Sequence, residues 1–183
     1  MSTLSAANIF RTPGRLAINP TNLSTGFPHG GTAIGVCNKI RFIISQSNPK
    51  VRAEEFGGQA VEAVFIPSDI VLACNIRSKD NDAIETLFSS TATGASGNRV
   101  ISWPGSTRAG MLQSSRAVSL IFTPENTLEH PAIIIYNALP LVSIASEMRL
   151  SILQESVFPA IFLGLRDGTS RVAQMGILGD LTL

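Results

Sequence analysis

From Thr32 onwards, apolar residues come in short runs rich in β-branched side chains, each closed by turn residues. Ile34 to Ile44 is one such run, ended by Ser45-Gln46-Ser47-Asn48-Pro49, and Lys50 to Phe56 is the next. Two β-prone runs separated by an Asn-Pro turn predict a β-hairpin. In its second strand Val51, Ala53 and Glu55 alternate with Arg52, Glu54 and Phe56. Neither face is wholly apolar, which predicts an edge strand or one that projects from the body. Gly57-Gly58 breaks this run. Val61 to Ile66 then predicts a strand, Pro67-Ser68-Asp69 a turn, and Ile70 to Ile76 another strand. Ala117 to Phe122, Ala132 to Asn137, Arg149 to Gln154, Pro159 to Leu165 and Met175 to Leu181 have the same character.

Three stretches differ. Asp82 lies three residues before Glu85, and Ala83, Ile84, Leu87 and Phe88 fall at helical spacing. That predicts a short helix from Asn81 to Phe88 with Asp82 and Glu85 at its cap. Ser89 to Gly97 is nearly all Ser, Thr, Ala and Gly and reads as a flexible loop. Residues 1–31 are rich in Asn, Pro, Gly and Ser and read as an extended N-terminal arm, with one short strand near Arg15 to Ile18. Residues 32–183 are left as one domain. About eight short strands with regular turns and one short flanking helix predict a mainly β fold, a sandwich or barrel, rather than an alternating α/β sheet.

Composition narrows the choice of function. The 183 residues carry 14 basic and 13 acidic side chains, a formal charge of +1, and only 15% are charged. A typical chain has about 25%. Near-neutrality lacks the basic footprint of a dedicated nucleic-acid binder. So sparse a surface charge gives little self-repulsion and favours association between copies. Met1-Ser-Thr-Leu-Ser5 lacks the basic and apolar regions of a signal peptide, and the apolar run Pro131 to Tyr136 is far shorter than the ~18 residues of a membrane helix. No membrane partner is expected. Cys37 and Cys74 are expected as two buried thiols rather than a disulfide.

Chemistry-bearing patterns are scarce. His29 and His130 each adjoin a proline and are expected at the surface; no CxxC, HxxxH or HExxH accompanies them, so no metal site is expected. Gly94-Ala-Ser-Gly97 lacks the spacing and lysine of a phosphate loop, and Ser96 is not in a nucleophile elbow because Asn98 stands two residues on. Adjacent Glu54 and Glu55 on a strand point to opposite faces and cannot work as an acid–base pair. Asp69, Asp80 and Asp82 are accounted for by turns and capping. Asn22-Leu-Ser24 fits the glycosylation pattern, but without a secretory signal the match is read as accidental. Trp103, in Ser102-Trp-Pro-Gly105, reads as a packed turn. No catalytic residue, metal or cofactor is expected, and the chain is expected not to be an enzyme.

The run Arg52-Ala-Glu-Glu-Phe-Gly-Gly58, Val61 to Ile66, Ile70 to Arg77 and Asn81 to Phe88 reads strand, glycine break, strand, turn, strand, helix. With Leu16-Ala-Ile-Asn-Pro20, Phe27 to Thr32 and Gly179 to Leu183, it resembles the tail tube proteins of long-tailed bacteriophages. The resemblance implies a β-sandwich or barrel subunit with a flanking helix. Six subunits form a ring, rings stack into a hollow tube, and DNA passes through the lumen at ejection without specific binding. It also implies partners among other tail proteins (sheath, terminator, baseplate), and a place in the virion tail after assembly in the host cytoplasm. In that family a long hairpin reaches from one ring to the next; the best match here is Ile40 to Phe56 with its tip at Ser45 to Pro49, which assigns Ser45, Gln46, Ser47, Asn48, Pro49, Lys50, Arg52 and Phe56 to contacts between subunits or rings. Family channels are often acidic, whereas this chain totals +1. Two alternatives stand beside the tube: another ring of the same virion (terminator, neck or tube-initiating baseplate ring), and a soluble β-sandwich binding module with Trp103 and Tyr136 as ligand contacts. A hydrolase using dispersed carboxylates is a third and weaker class.

Overall fold

Alternating apolar residues build a closed barrel. The computed structural model describes residues 13–47, 50–52, 60–63, 66–77, 91–93, 98–100, 113–141 and 158–183. In chain order the strands are β1 (Gly14–Ile18), β2 (Thr32–Ser47), β3 (Lys50–Arg52), β4 (Ala60–Ala63), β5 (Ile66–Ile76), β6 (Thr91–Thr93), β7 (Asn98–Val100), β8 (Val118–Pro124), β9 (Ala132–Leu141), β10 (Phe158–Gly164) and β11 (Ala173–Gly176). The main sheet runs β10-β5-β2-β1-β8-β9-β11, all antiparallel, and β9 pairs back onto β10 to close six strands into a barrel. Closure satisfies the backbone groups that an open sheet would leave at its edges.

Residues of one parity point inward. Leu16, Ile34, Leu72, Leu120, Phe122, Ile135 and Phe162 are fully or almost fully buried there, together with Cys37 and Cys74. Residues of the other parity on β1, β8 and β9 face outward, yet Ala17, Ile121, Ala132 and Ile134 are buried too. They lie under a second apolar layer supplied by Leu23 and Phe27 of the β1–β2 connection and by Leu178 and Leu181 near the C-terminus. Ile133, Ile134 and Ile135 are therefore all covered, which is why β9 has an unbroken apolar run instead of alternation. Gly14 is required where it stands: a Cβ there would meet the Phe122 ring and come within 2.6 Å of the Thr123 carbonyl oxygen.

β9 is paired along its other edge in two parts. Ala138–Leu141 pairs with β10 and Ala132–Ile135 with β11. Between them Leu165 N–H donates to Asn137 O (2.8 Å) and Tyr136 N–H donates to Val172 O (3.0 Å). β10 and β11 thus form one interrupted strand along β9, with residues 165–172 thrown outward as an excursion.

The structure departs from several expectations. The fold is a barrel with an added strand, and no α-helix occurs among the described residues; the helix expected from Asp82 and Glu85 lies outside them, as do Trp103 and the strand expected at Arg149 to Gln154. Strand β1, inside the stretch read as an N-terminal arm, is hydrogen-bonded between β2 and β8, so the barrel begins at Gly14 rather than at Thr32. Pro67 to Asp69 is not a turn but part of β5, opposite the end of β2. It precedes Ile70, the last β5 residue paired with β10, so the missing N–H of Pro67 removes nothing from the barrel ladder. Part of the expected Ser89–Gly97 loop is ordered by pairing of Thr91–Thr93 with Asn98–Val100.

His29 is also corrected: it is 1% exposed, not at the surface. Its Nδ1–H donates to Thr25 O (2.8 Å), Nε2 is 2.9 Å from Thr123 Oγ1, and the Phe27 ring meets it edge-on. The imidazole therefore ties the β1–β2 connection to β8. His29→Ala leaves a carbonyl and a buried hydroxyl without these partners, and is expected to cost about 1–3 kcal/mol, measured as a lower urea midpoint at unchanged slope. An unchanged midpoint would show that the ring does not hold this loop.

Candidate assembly surface

β2 is much longer than the barrel needs. Thr32 to Cys37 pairs with β1 on one side, and Cys37 to Ser47 pairs with β5 on the other. The change of partner is made through irregularities: one beside Gly35 (φ 138°) and a second between Asn38 and Arg41, where Lys39 takes φ 50°. β10 leaves β5 at Ile70, opposite Ile44. Beyond that rung β2 and β5 continue as a pair on their own, joined by Ser45, whose hydroxyl donates to Asp69 O and accepts from Asp69 N–H, both at 3.1 Å. Gln46 then pairs with Pro67 and Ser47 with Ile66.

The second part of the arm is β3 on β4. Lys50 pairs with Ala63, Val51 with Glu62 and Arg52 with Ala60. This overturns the hairpin expected with its tip at Ser45 to Pro49, because β3 does not fold back on β2. Ser45, Gln46 and Ser47 belong to β2, and Lys50 and Arg52 to β3, which pairs with β4. Asn48, Pro49 and Phe56 lie outside the described residues. The described residues on either side of the expected tip are paired antiparallel with later segments, β2 with β5 and β3 with β4. From Ile44 to Arg52 the chain can span at most about 26 Å at ~3.3 Å per residue.

Apolar side chains near the base of this arm are open to water. Ile44 is 63% exposed and Ile43 43%; Val36, also 43% exposed, lies further back on β2, opposite Arg15 of β1. Sequence reading missed them, since their run looked like an ordinary buried strand; the signal was its length, 16 residues, well beyond the usual 5–6. Among the described residues the β2 edge that faces β1 has no strand partner beyond Cys37, and β11 pairs only with β9.

Several polar groups elsewhere among the described residues are engaged in structure. Among the described residues no three His, Cys, Asp or Glu side chains are placed to hold a metal ion. Cys37 and Cys74 are both buried free thiols. A hydrogen bond with Cys37, burial, and repulsion from Cys37 push the Cys74 thiol above its ordinary range, which keeps it protonated and unreactive. Tyr136, one of the two residues considered as ligand contacts, is already used: Arg171 lies 4.0 Å over its ring, and its hydroxyl is 2.8 Å from Gln174 Oε1 and 3.1 Å from Thr182 O.

The 165–172 excursion is held by Asp167. Partial desolvation would raise this carboxyl, but hydrogen bonds from the Thr169 hydroxyl, from the backbone and guanidinium of Arg171, and from Thr169 N–H outweigh it and lower the pKa to about 2. A carboxyl lowered on folding stabilises the fold above its unfolded pKa of ~3.9, and this contribution disappears as pH falls through the folded value. Local order of the excursion is therefore expected to persist at pH 4 and to fade toward pH 2, followed as the Asp167 carboxyl shift by NMR. A midpoint near 4 would show that these bonds do not form.

No protein-family model matches the sequence, and no curated protein does. Three solved assemblies contain chains of similar course. One is the sheath/tube terminator of an extracellular contractile injection system (PVC) in the extended state, at 9% identity and a TM-score of 0.47, covering 96% of this chain and 99% of that one. Another is the PVC sheath–tube complex in the extended state, at 10% identity and 0.42, covering 97% and 99%. The third is the baseplate of the anti-feeding prophage, at 13% identity and 0.39, covering 97% and 99%. All three stand below a TM-score of 0.5, so they neither fix the fold nor say what this chain does.

Proposed function

We propose that the chain is a structural subunit of a phage-type tail tube: copies assemble into rings of six, and the rings stack through the β2–β5 arm. The observation that carries this reading is a barrel that completes its own ladder while one strand pair runs on past the rim. Such an arm has no core of its own to fold around, and a two-stranded ribbon is marginal in water unless something covers it. A copy in the next ring covers it. Ile43 and Ile44 at the base of the arm supply apolar area for that contact, at about 25 cal/mol per Å² buried.

The low charge supports the same reading. With 15% charged residues and a net charge of +1, copies approach without strong repulsion, and large obligate interfaces are characteristically apolar. Contact between unlike surfaces of identical subunits closes into a ring when the rotation closes, and extends along an axis when it does not. The tube is a conduit through which DNA passes without specific binding, it belongs to the virion tail after assembly in the host cytoplasm, and its other partners are sheath, terminator and baseplate proteins. The role is structural and not enzymatic, and it uses no cofactor. Size-exclusion chromatography with light scattering tests it: masses that are multiples of 19.4 kDa and grow with concentration are expected. A mass of one chain at every concentration would overturn the proposal.

A further inference from the structure

The largest exposed apolar contact point among the described residues is Leu128, 86% exposed in the β8–β9 connection. Its position is built. Leu128 N–H donates to Asn126 Oδ1 (3.2 Å), His130 N–H donates to Asn126 O (3.1 Å), and Glu125 N–H donates to Pro13 O (3.1 Å). The turn holds Leu128 out from the barrel between exposed Glu125 and Glu129, with nearly all of its apolar surface open for a partner to bury.

A matching surface lies on the other flank of the barrel. Where two β2 residues, Lys39 and Ile40, oppose the single β5 residue Cys74, a groove of about 440 Å³ opens between β2, β5 and β10. Its wall is apolar at Ile40, Ala73, Pro159 and Ile161, and it carries the exposed cations Lys39 and Arg41. Apolar plug and apolar groove match, as do two carboxylates and two cations.

Their placement in the fold fits contact between copies. In the circular order β10-β5-β2-β1-β8-β9, the groove is centred on β5 and the loop follows β8, three strands away, so they face opposite directions. They also start from the same rung of the sheet. Pro124, Gly14, Cys37, Ile76 and Phe158 form one continuous rung across five strands. Glu125 to Glu129 begins just past Pro124, and Lys39 to Arg41 just past Cys37, on strands that run in the same direction. One copy cannot fill its own groove, whereas a second copy can.

We infer that Leu128 of one copy seats in the β2–β5–β10 groove of the adjacent copy, with Glu125 and Glu129 facing Lys39 and Arg41, and that this is the lateral contact within a ring. The inference rests on the reading of the chain as a self-assembling subunit. Full-length variants test it by light scattering, with circular dichroism as a check of folding. Leu128→Asp, the pair Lys39→Glu with Arg41→Glu, and the pair Glu125→Lys with Glu129→Lys are each expected to raise the concentration needed for assembly about tenfold or more, the loss typical of a buried anchor. Combining the two charge-reversed pairs is expected to restore assembly. In a second experiment, chains bearing Leu128→Cys are mixed with chains bearing Ile161→Cys; oxidation is expected to give a mixed disulfide-linked dimer that neither population forms alone.

Variants that assemble like the parent, or absence of the mixed crosslink in assembled material, would overturn this contact while leaving self-assembly standing. Loss of assembly on reversing Lys39 and Arg41 but not on changing Leu128 would mean that another acidic segment fills the groove, and would also overturn it. A parent chain that stays monomeric removes the functional reading itself.

Discussion

Replacing residues 47–66 by an Asn-Gly turn that joins Gln46 to Pro67 is expected to leave a folded barrel that no longer stacks. Gln46 and Pro67 are paired, so a two-residue turn closes the ladder at a rung that already exists. The removed stretch holds β3 and β4, which form a separate two-stranded sheet. Gln46 and Pro67 lie beyond the Ile44–Ile70 rung at which β10 leaves the sheet, so the cut falls outside the closed barrel. The melting temperature is therefore expected to stay within a few degrees of the parent, while the concentration needed for stacking rises at least about a hundredfold, the effect of losing more than one strong contact. Stacks that persist in the shortened chain would show that the arm is dispensable. A barrel that unfolds would show that the arm is part of the core.

Phe162→Ala is expected to do the opposite, destabilising the fold wherever the chain is studied. Phe162 is fully buried, and β10 places it between Leu72 of β5 and Pro140 of β9, at the seam where the barrel closes. Removing the ring leaves a cavity and costs about 3–5 kcal/mol. That is a large part of a total near 5–15 kcal/mol, and for a chain of this size it lowers the melting temperature by roughly 6–20 °C. Ile44→Ser is the control: at 63% exposure it is expected to leave melting almost unchanged while weakening assembly. A Phe162→Ala protein that melts like the parent would place that seam outside the cooperative core.

The contrast between these two sites marks how far the residues alone could be read. β8, β9 and β10 were legible because short apolar runs, closed by Pro-Glu-Asn near 124–126 and by Asp167-Gly168, have few other ways to be buried. β1 was visible only as a possible short strand among Pro and Gly, because its place in the barrel depends on Gly14 lying against Phe122, a contact far along the chain. The hairpin was located in the right region but with the wrong turn. Asn48-Pro49 is a good local turn signal, and the competing register, Ser45 on Asp69 and Lys50 on Ala63, is fixed by pairings that no local pattern encodes.

Edge closure was the larger difference. Mixed faces on the Lys50–Phe56 run suggested an edge strand or one projecting from the body, but gave no sign that β9 on β10 completes six strands within one chain. What remains for a neighbour is narrower: the arm, the β2 edge beyond Cys37 and the outer edge of β11. His29 shows the same limit on a smaller scale. Its turn-rich surroundings suggested the surface, but Thr123, which completes its hydrogen bonding, lies 94 residues away.

The central claim is that one strand pair leaves a self-sufficient barrel in order to be covered by another copy. Electron cryomicroscopy of the purified full-length chain, concentrated until it associates, tests this most directly. The expected result is hollow rings and stacks in which the β2–β5 arm of each subunit lies against a subunit of the next ring. Single compact particles at every concentration, or assemblies in which the arm touches only its own barrel, would contradict it.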